Sequence, residues 1–175
     1  TFDTSFFQAP GRMNVYAEHP FKVILDYGHN AHAVGVMADL AHRLEVSNRR
    51  LVVLAAPGDR RDEDILDIAD AVSGKFDVYF LKRDDGLRGR DADEIPNMMA
   101  ARLRGNGIAE SAIQVIPDEQ QAIDAALRMA EAGDLLLVFG DALARSWKQI
   151  TKFNPENGTG GENPVKKQVI ESNAA

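Results

Sequence analysis

The residues Asp26-Tyr27-Gly28-His29-Asn30 directly follow the apolar run Phe21–Leu25 and precede a segment with helical periodicity. Open α/β sheets bind their ligands at such a position, the carboxyl end of a strand. An acid, an imidazole and a carboxamide in one turn are poor core residues, but they can hydrogen-bond a hydroxyl-bearing ligand such as a nucleotide ribose. Asp26 and Asn30 could equally cap the following helix while the His29 ring packs nearby. The pattern therefore leaves two interpretations open, a nucleotide site and a capped helix start.

Residues 82–91 form a second candidate, with seven charged residues and two glycines in ten positions after the apolar run Val78–Leu81. Acidic side chains suit an ammonium or guanidinium group and arginines suit a carboxylate, so this loop is typical of a site for a zwitterionic ligand. The alternative is an exposed loop held by salt bridges.

A third turn, Gly58-Asp59-Arg60-Arg61-Asp62, follows the apolar run Leu51–Ala55. Either arginine could present its planar guanidinium group to a carboxylate or a phosphate. The alternative is a helix N-terminus capped by Asp62, with both arginines in solvent.

The composition limits the classes of protein and of partner. The chain has 175 residues, of which 45% are hydrophobic and 27% charged, and these values are typical of one globular domain. A net charge of −7 argues against nucleic acid or a membrane surface as a partner. Without cysteine, the chain can form neither a disulfide framework nor a thiolate zinc site. No apolar run approaches the roughly 18 residues of a membrane span, and no signal-peptide pattern is present, so we predict a cytoplasmic protein.

Two common nucleotide motifs are missing. The sequence has no G-x-x-x-x-G-K-[ST] loop and no G-x-G-x-x-G after a predicted strand. His29 and His32 have a spacing that occurs in metal sites, but no third ligand is evident, so no metal site is predicted.

The elements that must position these residues alternate between strand and helix patterns. Continuously apolar strands that alternate with amphipathic helices indicate a parallel sheet covered on both faces. We therefore predict an α/β fold, a doubly wound, Rossmann-like, mostly parallel sheet of about six strands with helices on both faces. The predicted strands are 15–18, 21–26, 51–55, 78–81, 113–116 and 135–139, and the predicted helices are 33–44, 62–73, 92–103, 118–130 and 143–150.

The periodicity ends near Phe153. We predict one domain over residues 1–152 and a disordered tail over 153–175, with a short helix at 164–171 as an option. The chain begins at Thr1 rather than Met, which indicates a piece of a longer protein.

Several short motifs together resemble the C-terminal domain of the Mur ligase superfamily, the ATP-dependent amino-acid ligases. Residues 58–64, G-D-R-R-D-E-D, and the acidic loop that contains Arg88-Gly89-Arg90 are most similar to the cyanophycin synthetases within it. Gly140-Asp141 departs from the G-K-G-H-E that ends the last strand in many members. The other matches are Pro10-Gly11-Arg12 to P-G-R, residues 26–30 to D-Y-A-H-N, Gly58-Asp59-Arg60 to G-D-R, and Ala122-Ile123 with Gly133-Asp134 to A-I…G-D.

The resemblance implies that the chain is part of an acid–amino-acid ligase of class EC 6.3.2. Residues 1–11 would be a linker from a missing upstream P-loop domain, which would carry most of the ligands for Mg²⁺. The complete enzyme would use ATP to join an amino acid to a peptide or polymer acceptor through an acyl phosphate, and it could form a homo-oligomer. This chain alone would be inactive.

The resemblance also assigns roles to eight residues in two groups. The first group would bind ATP, with Asp26 at the ribose. The second would bind the incoming amino acid, which in the cyanophycin synthetases is arginine. The ATP group is Arg12, Asp26, His29 and Asn30, and the amino-acid group is Arg60, Asp84, Asp85 and Arg88.

A different class of protein fits part of the pattern. The chain could be a stand-alone α/β nucleotide-binding module, or a receiver-like signalling module with Asp26 as the acceptor carboxylate. Receiver chemistry uses a lysine after the last strand, and Phe139-Gly140-Asp141 offers none.

Overall fold

Six apolar segments form one mixed sheet in the computed structural model, which describes residues 5–158. The strand order is β1-β2-β6-β3-β4-β5, where β1 is antiparallel to β2 and the other neighbouring pairs are parallel. The predicted fold class is therefore confirmed. The strands are β1 (Asn14–Tyr16), β2 (Lys22–Asp26), β3 (Arg50–Leu54), β4 (Val78–Leu81), β5 (Ile113–Val115) and β6 (Leu135–Phe139).

Helices cover both faces of the sheet because successive strand residues point to opposite sides. Ile24 and Val52 pack into one hydrophobic cluster with the first three helices, while Leu25 and Val53 pack into a second cluster with the fourth. The helices are α1 (Ala31–Arg43), α2 (Asp62–Val72), α3 (Glu94–Gly105), α4 (Glu119–Met129), α5 (Leu143–Lys152) and α6 (Pro155–Gly158).

Strand β6 is the last strand in the sequence but lies at the centre of the sheet, between β2 and β3. All five of its residues are buried, as expected for an apolar strand covered on both faces. Its register pairs Phe139 with Asp26, which aligns the carboxyl ends of β2 and β6. The turns that follow the parallel strands are thereby brought to one edge of the sheet, where such folds bind ligands.

A buried carboxylate fixes the opposite end of β6. The Asp134 side chain accepts hydrogen bonds from the Arg49 backbone N–H at 2.9 Å and from Arg49 Nη2 at 2.7 Å. It also accepts the Glu131 backbone N–H at 2.8 Å. Because the carboxylate is completely paired, its burial does not leave an uncompensated charge.

The element boundaries differ from the predicted ones by up to two residues. Helix α3, for example, begins at Glu94 rather than at 92 and ends at Gly105. Described structure also continues past the predicted domain boundary at 152. The Phe153 ring lies 5.7 Å from the His19 ring and 6.4 Å from the Phe21 ring, and α6 follows. The helix considered for 164–171 lies outside the described residues.

Within residues 5–158, none of the helices has the length and the hydropathy that a membrane crossing requires.

Candidate functional site

The three turns singled out from the sequence meet around one cavity of about 180 Å³. It lies at the carboxyl ends of β2, β3, β4 and β6, and its walls include residues from 27–29, 55–60, 82–88 and 139–141. Each of the three turns follows the carboxyl end of a parallel strand, which is the position where such folds bind ligands. Strand register, rather than any single loop, brings them together.

The turn after β2 is stabilised by its own polar side chains. Asp26 Oδ1 accepts the Gly28 backbone N–H at 2.8 Å, and Asp26 Oδ2 accepts the Met13 backbone N–H at 3.0 Å. Asn30 is the N-cap of α1, since its Oδ1 accepts the Ala33 backbone N–H at 2.9 Å. The capping interpretation therefore describes Asn30, whereas Asp26 ties β2 to the segment before β1. Each carboxylate oxygen of Asp26 retains a lone pair for a ligand.

His29 and Tyr27 form the outer wall of the cavity next to this turn. Their ring centroids are 5.1 Å apart, and His29 Nδ1 lies 3.1 Å from the Tyr27 carbonyl oxygen. Arg12 is exposed and adjoins Met13, whose N–H binds Asp26. The structure thus groups the four predicted ATP residues near the end of β2, but only His29 among them lines this cavity.

The adjacent acids Asp84 and Asp85 have different surroundings. Asp84 lines the cavity, and burial raises the pKa of its carboxyl group, although the Lys82 ammonium opposes the rise. The Asp85 carboxylate instead pairs with Arg145 Nη2 at 3.1 Å, and the Asp85 backbone N–H donates to Asp141 Oδ2 at 3.0 Å. The structure therefore separates Asp85 from the predicted amino-acid group, because α5 supplies it with a cation.

The two predicted arginines also line the cavity. Arg88 forms an ion pair with Asp59 across the two loops, and both side chains are largely exposed. Arg60 is exposed in the turn that precedes α2. Three of the four predicted amino-acid residues, Arg60, Asp84 and Arg88, therefore share one cavity.

Arg90, which the sequence analysis did not select, fastens the 82–91 loop to the turn after β3. Its Nε donates to the Gly58 carbonyl oxygen at 3.1 Å, and its Nη2 donates to the Arg60 carbonyl oxygen and to Asp62, each at 2.8 Å. Gly58 is required there, because a Cβ atom on it would lie 2.5 Å from the Leu87 carbonyl oxygen. The two loops are therefore packed directly against each other.

A buried ion pair adjoins the cavity, whose wall includes Lys82. Lys82 Nζ is 2.9 Å from Glu119 Oε2, and the two side chains are only 1% and 0% exposed. Glu119 also accepts the backbone N–H groups of Asp141 at 2.8 Å and Ala142 at 3.2 Å, and the Ser146 hydroxyl at 2.9 Å. Glu119 thereby connects the start of α4 to β4 and to the turn between β6 and α5.

The pKa of Glu119 reflects these contacts. Burial alone would raise the pKa of the carboxyl group, but the Lys82 ammonium and the hydrogen bonds from Asp141 and Ser146 lower it to about 2. Sequence reasoning missed Glu119 because Pro117-Asp118-Glu119 has the pattern of an ordinary helix start. Nothing local in the sequence indicates that its side chain turns inward.

The assembled cavity carries both signs of charge. Asp59, Asp84 and Asp141 contribute acids, and Lys82, Arg60 and Arg88 contribute cations. Such walls complement a polar ligand that is itself both positive and negative. In residues 5–158, no group of three or more histidines, aspartates and glutamates is arranged to hold a metal ion.

Comparison with solved structures places the fold among known ligases. Escherichia coli FolC in complex with ADP has a TM-score of 0.63 and 25% identity, over 81% of this chain and 31% of FolC. A UDP-N-acetylmuramoyl-L-alanyl-D-glutamate–2,6-diaminopimelate ligase has a TM-score of 0.60 and 26% identity, over 75% of this chain and 26% of that chain.

Comparison of sequences gives a more specific result. The cyanophycin synthetase of Geminocystis herdmanii is 32% identical over 154 residues, which are 88% of this chain and 17% of that protein. That of a Nostoc species is 35% identical over 157 residues, which are 86% of this chain and 16% of that protein. The chain thus spans about a sixth of the length of these relatives.

The match to a family model confirms the resemblance that was noted from the sequence motifs. The model described as Mur ligase, glutamate ligase domain, matches residues 11–142. That range contains all the strands of the sheet and every turn around the cavity. The chain therefore belongs to the Mur ligase family, and over most of its length it is similar in sequence to about a sixth of the cyanophycin synthetases.

Proposed function

We propose that this chain is the C-terminal domain of an ATP-dependent amino-acid ligase of the cyanophycin synthetase type. In this proposal it supplies the site for the incoming amino acid and part of the ATP site. The observation that carries the proposal is the mixed charge of the cavity, where Asp84 and Asp141 lie among the cations Lys82, Arg60 and Arg88. Membership of the family and the similarity to cyanophycin synthetases support it.

Arginine is the amino acid that we assign to the cavity. Its guanidinium group would bind Asp84, whose carboxylate takes part in none of the hydrogen bonds found in residues 5–158. Burial raises the pKa of Asp84 and so disfavours its charged form. A bound guanidinium group would lower that pKa and stabilise the carboxylate. The α-carboxylate of the amino acid would lie toward the cations of the cavity. Asp85 would serve indirectly, because its pairing with Arg145 holds the loop in place.

The turn after β2 fits the ribose and base end of a nucleotide. Asp26 retains acceptor capacity, and the His29 and Tyr27 rings offer an exposed polar and aromatic edge beside the cavity. ATP, when bound, supplies the phosphoryl group that activates the acceptor carboxylate as an acyl phosphate. The FolC structure contains ADP and resembles this chain in fold over 31% of its own length, which supports the use of ATP by the complete ligase.

The phosphates and Mg²⁺ require a further domain in this proposal. The sequence has no P-loop, and residues 5–158 contain no cluster of metal ligands. An upstream P-loop domain of the same polypeptide would hold the triphosphate and the metal. Closure of that domain onto the cavity would exclude water and align the amine with the activated carboxylate. The receiver-like alternative has less support, because Phe139-Gly140-Asp141 offers no lysine after the last strand.

Turnover measurements on two polypeptides test the proposal. The complete polypeptide, supplied with ATP, Mg²⁺, arginine and a peptide acceptor, should release phosphate in a way that depends on arginine. The 175-residue chain should give no steady release. Turnover by the purified chain alone would contradict the assignment of the triphosphate site to another domain. Activity of the complete polypeptide that does not respond to any amino acid would contradict the ligase assignment.

A further inference from the structure

Lys82 is the one buried lysine or arginine among residues 5–158, and it lies on the cavity wall. Its backbone N–H donates to the Leu54 carbonyl oxygen at 2.9 Å, which continues the pairing of β3 and β4 by one residue. Lys82 therefore extends from the rigid sheet rather than from the charged loop that follows it. A group held in this way is positioned before any ligand arrives.

The Lys82 ammonium group has unused hydrogen-bonding capacity. It carries three N–H donors, and within the described residues its one hydrogen-bond or ion-pair partner is Glu119 at 2.9 Å. Glu119 also pairs with Arg145 at 3.1 Å and accepts three further hydrogen bonds, so its single negative charge is shared between two cations. Two of the three Lys82 donors therefore have no hydrogen-bond partner within residues 5–158.

Stability alone does not explain this lysine. Removing two charges from water is costly, and replacing a buried ion pair by apolar residues of similar volume is often neutral or stabilising. Glu119 would remain well satisfied without Lys82, because Arg145, Ser146 and two backbone N–H groups also bind it. A buried cation that the fold could replace, at the wall of a cavity, points to a ligand.

We propose that Lys82 is the residue of this cavity that binds an anionic oxygen of the ligand, with Glu119 as its fixed counter-ion. The identity of that oxygen rests on the proposed function, which offers two sources. One is the α-carboxylate of the incoming amino acid, and the other is a phosphate group. This assignment differs from the sequence-based one, in which the amino-acid group contained the cations Arg60 and Arg88 and an arginine side chain suited the carboxylate. Both of those side chains are exposed, and Arg88 already pairs with Asp59.

The variant Lys82→Met tests the assignment, because it removes the charge and preserves most of the side-chain volume. Lys75→Met is the matched control, since Lys75 pairs with Asp39 at 2.7 Å and is not among the cavity residues. Thermal unfolding of each variant establishes that it is folded. Binding to the 175-residue chain is then measured by NMR titration with L-arginine, with agmatine, which lacks the carboxylate, and with inorganic phosphate.

If the carboxylate is the ligand group, Lys82→Met weakens L-arginine binding tenfold or more and changes agmatine binding less than twofold. If the phosphate is the ligand group, the variant instead weakens phosphate binding tenfold or more. Lys75→Met leaves all three affinities unchanged in either case. Wild-type affinity for all the probes in a folded Lys82→Met chain would overturn the role of Lys82. Failure of the wild-type chain to bind L-arginine and agmatine would overturn the proposed amino-acid site, while the phosphate titration would still decide the role of Lys82.

Discussion

The Asp85 carboxylate lies 3.1 Å from Arg145 Nη2, and this contact joins two residues that are 60 positions apart. It fastens the loop after β4 to α5, and the hydrogen bond from the Asp85 backbone N–H to Asp141 reinforces it. The neighbouring Asp84 carboxylate is thereby left on the cavity wall. Two consecutive aspartates thus have different surroundings, since Asp85 holds the loop and Asp84 lines the cavity.

The first prediction compares these two acids in the complete polypeptide. Asp84→Asn should lower kcat/KM for arginine by about tenfold or more, since a buried guanidinium would lose its charged partner. Asp85→Asn should lower it by a smaller factor, because its largely exposed ion pair is worth about 1 kcal/mol or less. The KM for ATP should change little in both variants. Equal losses of kcat/KM in the two variants would contradict separate roles for Asp84 and Asp85.

The second prediction concerns Asp26. Asp26→Ala removes the acceptor for the Met13 and Gly28 N–H groups, which should lower the free energy of unfolding by about 1–3 kcal/mol. The change is measurable by thermal unfolding of the 175-residue chain. In the complete polypeptide, the KM for ATP should rise more than the KM for arginine. Asp26→Asn, which keeps one acceptor oxygen, is the control and should be less destabilised. Equal changes in the KM for ATP and the KM for arginine would refute a ribose contact.

The third prediction follows from the lowered pKa of Glu119. Its folded-state pKa of about 2 lies below the ordinary value of 4.5, so the folded state favours the charged form. This contribution, on the order of 3 kcal/mol, is complete above pH 5 and is lost as the pH falls through 4.5 toward 2.

Urea unfolding at several pH values tests this dependence. The stability difference between the wild-type chain and Glu119→Gln should be largest above pH 5 and should shrink as the pH approaches 2. Glu110→Gln is the control, because Glu110 is 73% exposed and its pairing with Arg104 should contribute little. A difference that does not vary with pH would show that Glu119 acts through packing rather than through its charge.

The fourth prediction concerns the packing of the two loops. A Cβ atom at Gly58 would lie 2.5 Å from the Leu87 carbonyl oxygen, so Gly58→Ala should destabilise the chain by about 1–3 kcal/mol. Gly105→Ala is the matched control, since no atom lies within 4 Å of a Cβ built there, and it should be neutral or slightly stabilising. Thermal midpoints of the two variants that agree within error would show that the loops can separate without cost.

The elements of this fold were predictable because their signals are local. Val34, Met37, Ala38 and Ala41 follow a helical period and are buried on α1, and Asn30 caps that helix as the alternative interpretation proposed. Four of the eight predicted site residues line the cavity for a related reason, because parallel strands bring successive turns to one edge of the sheet.

The division of labour within the site was not predictable. Asp84 and Asp85 are identical and adjacent, and only the position of Arg145 on a distant helix distinguishes them. Glu119 and Lys82 are likewise 37 positions apart in the numbering, and their pairing depends on how α4 packs beside β4. Such contacts arise from tertiary packing, which residue types and spacing do not specify.

The central position of β6 has a consequence for how this domain is made. Its partners β2 and β3 are synthesised first, but the strand that joins them, Leu135–Phe139, is translated more than 80 residues after β3 ends at Leu54. A nascent chain that stops before Leu135 therefore has two separate pieces of sheet with exposed edges, which is the state in which unpaired strands invite aggregation. The order of synthesis thus delays the formation of the core until the final strand is inserted. It delays the formation of the Gly140-Asp141 wall of the cavity in the same way.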